Sequence, residues 1–226
     1  ASVRVRVDAV DLDDVRIATS RGGTVTGRVV FEGDPPRPPA PLRVYPAPVN
    51  SVMLPALLGP GAPDRGLVGP DGRFALTGIV GALVPMLSVQ GWMLRSVTHG
   101  GRDISEDGLD PSAFGTIDGV VITLTDRLTR LSGAVRDARS RPTIDAVIVV
   151  LPEGGRTRGP LRSDPIVFRP DTDGRFDVAG LTPGRYAAAA VEWLEPGTHF
   201  DPAVRQRLRQ AGRPFSLDEG QTLTLD

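Results

Sequence analysis

The stretch RPDTDGRF, residues 169–176, sets Asp171 and Asp173 two apart with Gly174 directly behind them. That spacing begins like a calcium loop. A twelve-residue calcium loop carries acidic ligands at positions 1, 3 and 5, glycine at 6 and glutamate at 12. Counted from Asp171, the glycine comes too early and Thr182 occupies the twelfth position. Asp-Gly between alternating apolar residues is instead a hairpin signal, because glycine supplies the positive φ that the turn requires. The expectation is a turn between two strands, with no metal.

The other groups capable of chemistry are few. His99 and His199 are the only histidines and neither lies near a His-x-x-Glu arrangement, so a zinc hydrolase site lacks its ligand cluster. No Gly-x-Ser-x-Gly elbow occurs, and GGTVTG lacks the Lys-Ser/Thr end of a phosphate loop. Glu192 and Glu195 flank Trp193. Paired carboxylates beside an aromatic suit glycoside hydrolysis only when they face each other across a cleft; on a strand running into a loop they form a solvated rim. A hydrolase would also require Glu192 and His199 to converge. Trp193, Glu192 and Trp92 are therefore read as a candidate ligand surface for a glycan or peptide, since exposed tryptophan offers a stacking platform. Arg205, Arg207 and Arg209, with Arg213 beyond, lack interleaved aromatics and read as solvated helix surface. No catalytic residue, cofactor or metal is expected.

Composition narrows the class of elements that hold these groups. The 226 residues carry a formal charge of -1, which gives no global attraction to nucleic acid or anionic lipid. There are 27 glycines, 22 prolines and no cysteine, a mixture that favours short strands and many turns without disulfide or thiolate chemistry. All basic residues are arginine, so Schiff-base catalysis and lysine–asparagine isopeptide crosslinks within the chain are excluded. Residues 74–94, FALTGIVGALVPMLSVQGWML, are uncharged and long enough to span a bilayer. Gly78, Gly81, Pro85, Gln90 and Gly91 argue instead for two adjacent core strands joined by a glycine-rich turn.

An internal repeat organises the chain. VRIATSRGGTVTGRVV from Val15 aligns with VITLTDRLTRLSGAVR from Val121, matching Gly27 with Gly133 and Val29 with Val135. DGRFALTG from Asp71 aligns with DGRFDVAG from Asp173, matching Phe74 with Phe176. Two blocks in one order describe two tandem domains of one fold. The second copy of the uncharged stretch contains Asp177, Arg185 and Glu192, which excludes a membrane span. TVTGRVVF and DAVIVVL read as alternating strands, and RYAAAAV as a small-residue strand suited to tight packing. GDPPRPPAP, residues 33–41, is a proline-stiffened loop. One helix is expected near 202–211, capped by Asp201, begun by Pro202, closed by Gly212 and pinned through Val204 and Leu208. FSLDEGQTLTLD supplies two short strands around a Glu-Gly turn.

Gly133, Val135, Asp173, Gly174, Phe176, Leu181, Pro183, Gly184 and Tyr186 together resemble the carboxypeptidase regulatory-like domains, which are transthyretin-like β-sandwiches. The first copy departs from that pattern, with Gly81-Ala82 in place of Pro-Gly and no following tyrosine. The resemblance implies an all-β fold of two tandem transthyretin-like or Ig-like β-sandwiches with one short helix in the second. Residues 1–19 form a leading strand and linker, 20–125 the first module and 126–226 the second. It further implies an extracellular or periplasmic, non-enzymatic structural or interaction module of a larger exported bacterial protein. Partners are then other modules of that protein, or a second copy pairing through edge strands; SVRVRV within residues 1–8 is the first candidate for such pairing. A carbohydrate- or peptide-binding accessory role is the alternative.

Overall fold

The computed structural model describes residues 21–34, 41–49, 66–112, 115–137, 139–153 and 165–225. SVRVRV and most of the proline-rich loop lie outside the described residues.

Two sets of strands follow one another. The first comprises β1 (Gly23–Glu32), β2 (Tyr45–Pro48), β3 (Arg73–Ile79), β4 (Leu83–Met86), β5 (Met93–His99), β6 (Arg102–Asp103) and β7 (Thr116–Thr125). The second comprises β8 (Arg130–Ala134), β9 (Val147–Pro152), β10 (Ile166–Phe168), β11 (Arg175–Ala179), β12 (Gly184–Val191), β13 (Arg213–Leu217) and β14 (Thr222–Leu225), with helix α1 (Pro202–Ala211) between β12 and β13. The protein is an all-β sandwich with one short α-helix among the described residues. In the first set a five-stranded sheet, ordered β3-β1-β7-β5-β6, faces the β2-β4 pair. In the second, β11-β8-β14 faces β10-β9-β12-β13.

The hydrophobic clusters divide along the chain as the sheets do. Val25, Phe74, Leu76, Leu83, Val97 and Ile122 belong to one buried cluster, and Leu131, Ile148, Val150, Leu181, Tyr186 and Leu217 to another.

The sequence repeat has a shared geometry. Gly27 pairs with Phe74 across an antiparallel ladder and with Val120 across a parallel one. Gly133 pairs likewise with Phe176 and Leu225. A Cβ on Gly27 would stand 2.0 Å from the Val120 carbonyl oxygen and 3.0 Å from the Phe74 ring; on Gly133 the distances are 2.0 Å to the Leu225 oxygen and 2.6 Å to the Phe176 ring. In both copies the aromatic ring occupies the space a side chain would take.

The Asp171–Gly174 segment is a turn, but it does not close a hairpin between β10 and β11; around Asp71-Gly72, residues 66–69 do bond back to β3. Asp171 Oδ1 accepts the Asp173 and Arg175 amides at 2.9 and 2.8 Å, and Gly174 has φ +72°. The strands on either side belong to different sheets: β10 pairs with β9, and β11 pairs with β8. The turn is a corner between layers. The Gly174 carbonyl accepts the Val135 amide at 2.8 Å, as the Gly72 carbonyl accepts Val29 at 2.9 Å. Similarly, residues 74–94 do not form two adjacent strands of one sheet, since β3 pairs with β1 while β4 pairs with β2. No helix among the described residues is long and apolar enough to cross a membrane.

One further expectation changes, and the helix ends as expected at Gly212. DAVIVVL does not alternate in burial: all of Val147–Leu151 is buried. Ile148 and Val150 face the second core, whereas Val147, Val149 and Leu151 face Leu208 and Val204 of α1. The helix covers the outer face of this sheet, so both strand faces are apolar. Asp201 caps α1, its Oδ1 accepting the Ala203 amide at 2.7 Å, with Pro202 in the first turn. Gly212 closes it in an extended conformation, φ -80°, instead of the left-handed one. Glycine is required there because a Cβ would approach the Leu208 and Ala188 carbonyl oxygens to 2.9 and 3.0 Å.

Gly27→Ala and Gly133→Ala should each destabilise by roughly 1–3 kcal/mol, the range for overpacking a filled site. Chemical denaturation checks this. Gly184→Ala, where the backbone is not left-handed and a Cβ would meet only the Tyr186 ring at 3.8 Å, should cost less than either.

Candidate sites at the module junction and the Trp193 loop

Two regions bring together side chains that could bind or position something. The first is where the two repeats meet. Four residues, Asp126–Thr129, connect β7 to β8, and Thr125 and Thr129 at this connection are 1% and 0% exposed. Thr129 Oγ1 donates to the Leu181 carbonyl at 2.5 Å, and its own carbonyl accepts the Gly180 amide at 2.9 Å. The same hydroxyl lies 3.7 Å from Met93 Sδ, a side chain of the first repeat. Thr125 Oγ1 donates to Glu219 Oε1 at 3.3 Å and accepts the Arg127 amide at 3.2 Å. At the rim Arg95 bridges the repeats, bonding Glu32 and lying 3.6 Å from Glu219. A buried hydroxyl without a partner would be costly; Thr125 donates across the connection to Glu219, and Thr129 donates to Leu181 within the second repeat.

Beside this junction lies a cleft of about 350 Å³, lined by Tyr45, Trp92 and Leu94 from the first repeat and by Ile166, Leu181 and Tyr186 from the second. Burial pushes the Tyr45 phenol above its ordinary range. Tyr186 is held against the wall: its hydroxyl donates to the Thr182 carbonyl at 2.5 Å, and its ring stacks on Phe215 with centroids 5.4 Å apart. That accounts for the Leu181-to-Tyr186 motif as a structural clamp.

The second region is the loop between β12 and α1. Trp193 is 68% exposed and Phe200 55%. The His199 ring lies 4.1 Å from that of Phe200, and the His199 carbonyl accepts Arg205 Nε at 2.9 Å. Arg205 also sits 5.9 Å over Phe200, and Arg209 reaches the Pro152 carbonyl at 3.2 Å. Two of the helix arginines are therefore tied to the fold, while Arg207 is exposed. Glu192 is exposed, and no hydrogen bond joins it to His199.

The structure separates the predicted surface residues. Trp92 is half-buried and packs edge-on against Phe31, with centroids 4.9 Å apart; it packs against the first core and lines the junction cleft. Trp193 remains as the exposed aromatic. Among the described residues, no group of three or more His, Cys, Asp or Glu side chains is placed to hold a metal ion. The junction itself went unread in the sequence. Its one local signal is the pair Thr125 and Thr129 around an Asp-Arg-Leu link, and threonine is ordinary in strands.

No family model matches the chain, and no curated protein matches it. Solved structures that overlap it include a streptococcal ancillary pilin, with 12% identity and TM-score 0.33 over 92% of this chain and 62% of that one. The Bacillus anthracis TIE protein overlaps with 12% identity and TM-score 0.31, over 91% of this chain and 33% of that one. A minor pilin of Streptococcus agalactiae overlaps with 15% identity and TM-score 0.35, over 90% and 93%. This chain thus spans less than two thirds of the first two. At these TM-scores the overlaps define neither a family nor an activity.

Thr129→Val should destabilise by about 1–3 kcal/mol, because it keeps the volume and strands the buried Leu181 carbonyl. Thr198→Val, on the exposed loop, should change stability far less. Denaturant unfolding of the two variants compares them.

Proposed function

We propose that this chain is a non-enzymatic structural and interaction segment of a larger exported bacterial protein. Its two sandwich modules, 20–125 and 126–226, are held at a fixed spacing. The observation that carries the proposal is the buried connection around Thr125 and Thr129, where Thr125 and Arg95 of the first module reach Glu219 of the second. Independent motion of two domains needs an exposed, flexible linker with few contacts across it. Here the link is four residues long, its flanking threonines are buried, and backbone and side-chain bonds tie it to the Gly180–Leu181 corner. The Arg95 pairs are half-exposed and contribute little to stability on their own, so the principal lock is the part-buried Thr125–Glu219 bond together with Thr129 against Met93. Two features support the non-enzymatic half. Asp71 and Asp171, acidic residues of both turns, are committed to backbone amides, and Tyr186 is committed to its own corner. The likeness of the Gly133–Tyr186 motif to carboxypeptidase regulatory-like domains supports the exported setting.

The chain has no native cysteine, so labels can be placed cleanly at the exposed Thr77 and Gln210, one in each module, through Thr77→Cys and Gln210→Cys. Spin-label distance measurement should give one narrow distribution that Thr125→Val, which removes the bond to Glu219, broadens. A broad distribution in the otherwise unaltered chain would remove the fixed-spacing reading.

A carbohydrate- or peptide-binding accessory role is the second reading, favoured by the 68% exposure of Trp193. Base-stacking surfaces of this kind bind sugar faces by contact with the aromatic ring. On this reading, short β-linked glucan oligomers should quench the Trp193 fluorescence and Trp193→Ala should abolish the response. An unchanged emission across the oligomers would set glycan binding aside.

A further inference from the structure

A sheet edge presents unpaired N–H and C=O groups, and proteins guard such edges with charge, proline, shortness, a bulge or a covering segment. Most edges among the described residues are guarded in one of these ways. β13 carries Arg213 and Pro214, β11 carries Arg175 and Asp177, β2 carries Pro46 and Pro48, and β6 and β10 are two and three residues long. Along the outer side of β3, the Ala75 and Arg73 carbonyls accept the Gly66 and Gly69 amides at 2.9 and 2.7 Å. β4 contains Pro85 and exchanges bonds with Leu109 at 2.9 and 2.8 Å.

Among the described residues, β14 has no charge, proline, bulge or covering segment, and at four residues it is longer than β6 and β10. Thr222–Leu225 reads TLTL, with no charge, proline or glycine, and β14 is the last strand of the order β11-β8-β14. The Arg130 amide donates to the Gln221 carbonyl at 2.8 Å. In a parallel ladder alternate residues face the neighbour, so Leu223 and Leu225 bond toward β8, while the main-chain groups of Thr222 and Thr224 point to the open side. Both threonines are exposed.

The first repeat shows how the same place is guarded. Gly27 pairs with Val120 where Gly133 pairs with Leu225. Just before Val120, β7 carries Asp118 and a left-handed Gly119, φ +81°, at a register shift against β1. Thr224 stands there in the second repeat, sharing a hydrogen bond with Ser132 at 3.1 Å as Thr26 does with Asp118 at 2.5 Å. From Val120 onward, β7 is covered by antiparallel β5. A strand with a parallel neighbour on one side and an antiparallel one on the other therefore already exists in this fold.

We propose that the open edge of β14 pairs antiparallel with β14 of a second copy, joining two three-stranded sheets across a two-fold axis. The occupant follows from self-complementarity, which a two-fold interface requires. With Leu223 opposite its own copy, Thr222 and the partner's Thr224 exchange main-chain bonds and form Thr–Thr pairs on the exposed face. Such cross-strand pairs are favourable, and no like charges are brought together. A four-residue edge buries less than the roughly 1,200 Å² of a tight complex, so the dimer forms and dissociates with concentration. This inference goes beyond the fixed-spacing proposal and stands if that proposal fails.

Sedimentation equilibrium on the full chain provides the test. The mass should rise with concentration from 23.9 kDa toward twice that value. Thr224→Pro removes an outward N–H while leaving the bonds to β8, and should raise the dissociation constant at least tenfold. Thr224→Lys, which keeps the backbone and adds charge to the edge, should do the same even if the proline variant does not fold. Val5→Pro, in the SVRVRV segment, should leave the dimer unchanged. A chain that stays monomeric at every concentration overturns the proposal. So does a Thr224→Lys chain that dimerises like the parent, or a Val5→Pro chain that no longer dimerises, which would make the SVRVRV segment the occupant.

Discussion

One steric constraint recurs in both halves of this protein, and the sandwiches are arranged around it. A first strand is caught between an antiparallel neighbour and a parallel one, and at the crossing point a glycine lies under a phenylalanine ring with a carbonyl oxygen of the parallel strand against its Cα. The parallel partner is the last strand of each half, so the contact ties the start of the fold to its end. Such pairing needs a long connection, and the intervening strands of the facing sheet occupy that length. The Asp-Gly turns then deliver the phenylalanines, because their glycine carbonyls bond back to Val29 and Val135 two residues beyond the critical glycines.

From this shared frame the halves diverge. In the first, β5 extends the β1–β7 sheet. In the second, the chain passes through α1 before β13, which joins the opposite sheet beside β12. The helix is what permits that change: by covering Val147, Val149 and Leu151 it makes the outer face of the β9–β12 sheet a second interior. The alanines of β12 let α1 lie close, and Gly212 allows the chain to turn back across Ala188 into β13. Among the described residues, β14 is then left with a neighbour on one side only, β8.

The junction between the halves rests on a few fully bonded polar groups. Buried polar groups are stabilising only when fully bonded, and the hydroxyl and carbonyl of Thr129 both find partners at the Gly180–Leu181 corner. The same corner leads to Tyr186, whose hydroxyl closes on Thr182. The motif that makes the second repeat recognisable is therefore also the surface on which the connection between repeats rests.

The sequence alone determined what depends on nearest neighbours in the chain. Asp-Gly specified turns, Asp201-Pro202 specified a helix start, the internal repeat specified two versions of one plan, and the absence of cysteine and lysine removed whole classes of chemistry. Tertiary structure decided which strands meet. A period of two places a strand's side chains on two faces, but it names neither its partner nor what covers the far face. That is why the Asp171–Gly174 turn became a corner between sheets and DAVIVVL became buried on both sides. It is also why Trp92 and Trp193, alike in one dimension, separated into a core anchor and an exposed ring. Their surroundings come from residues up to a hundred positions away, whose contacts are set by packing and not by adjacency.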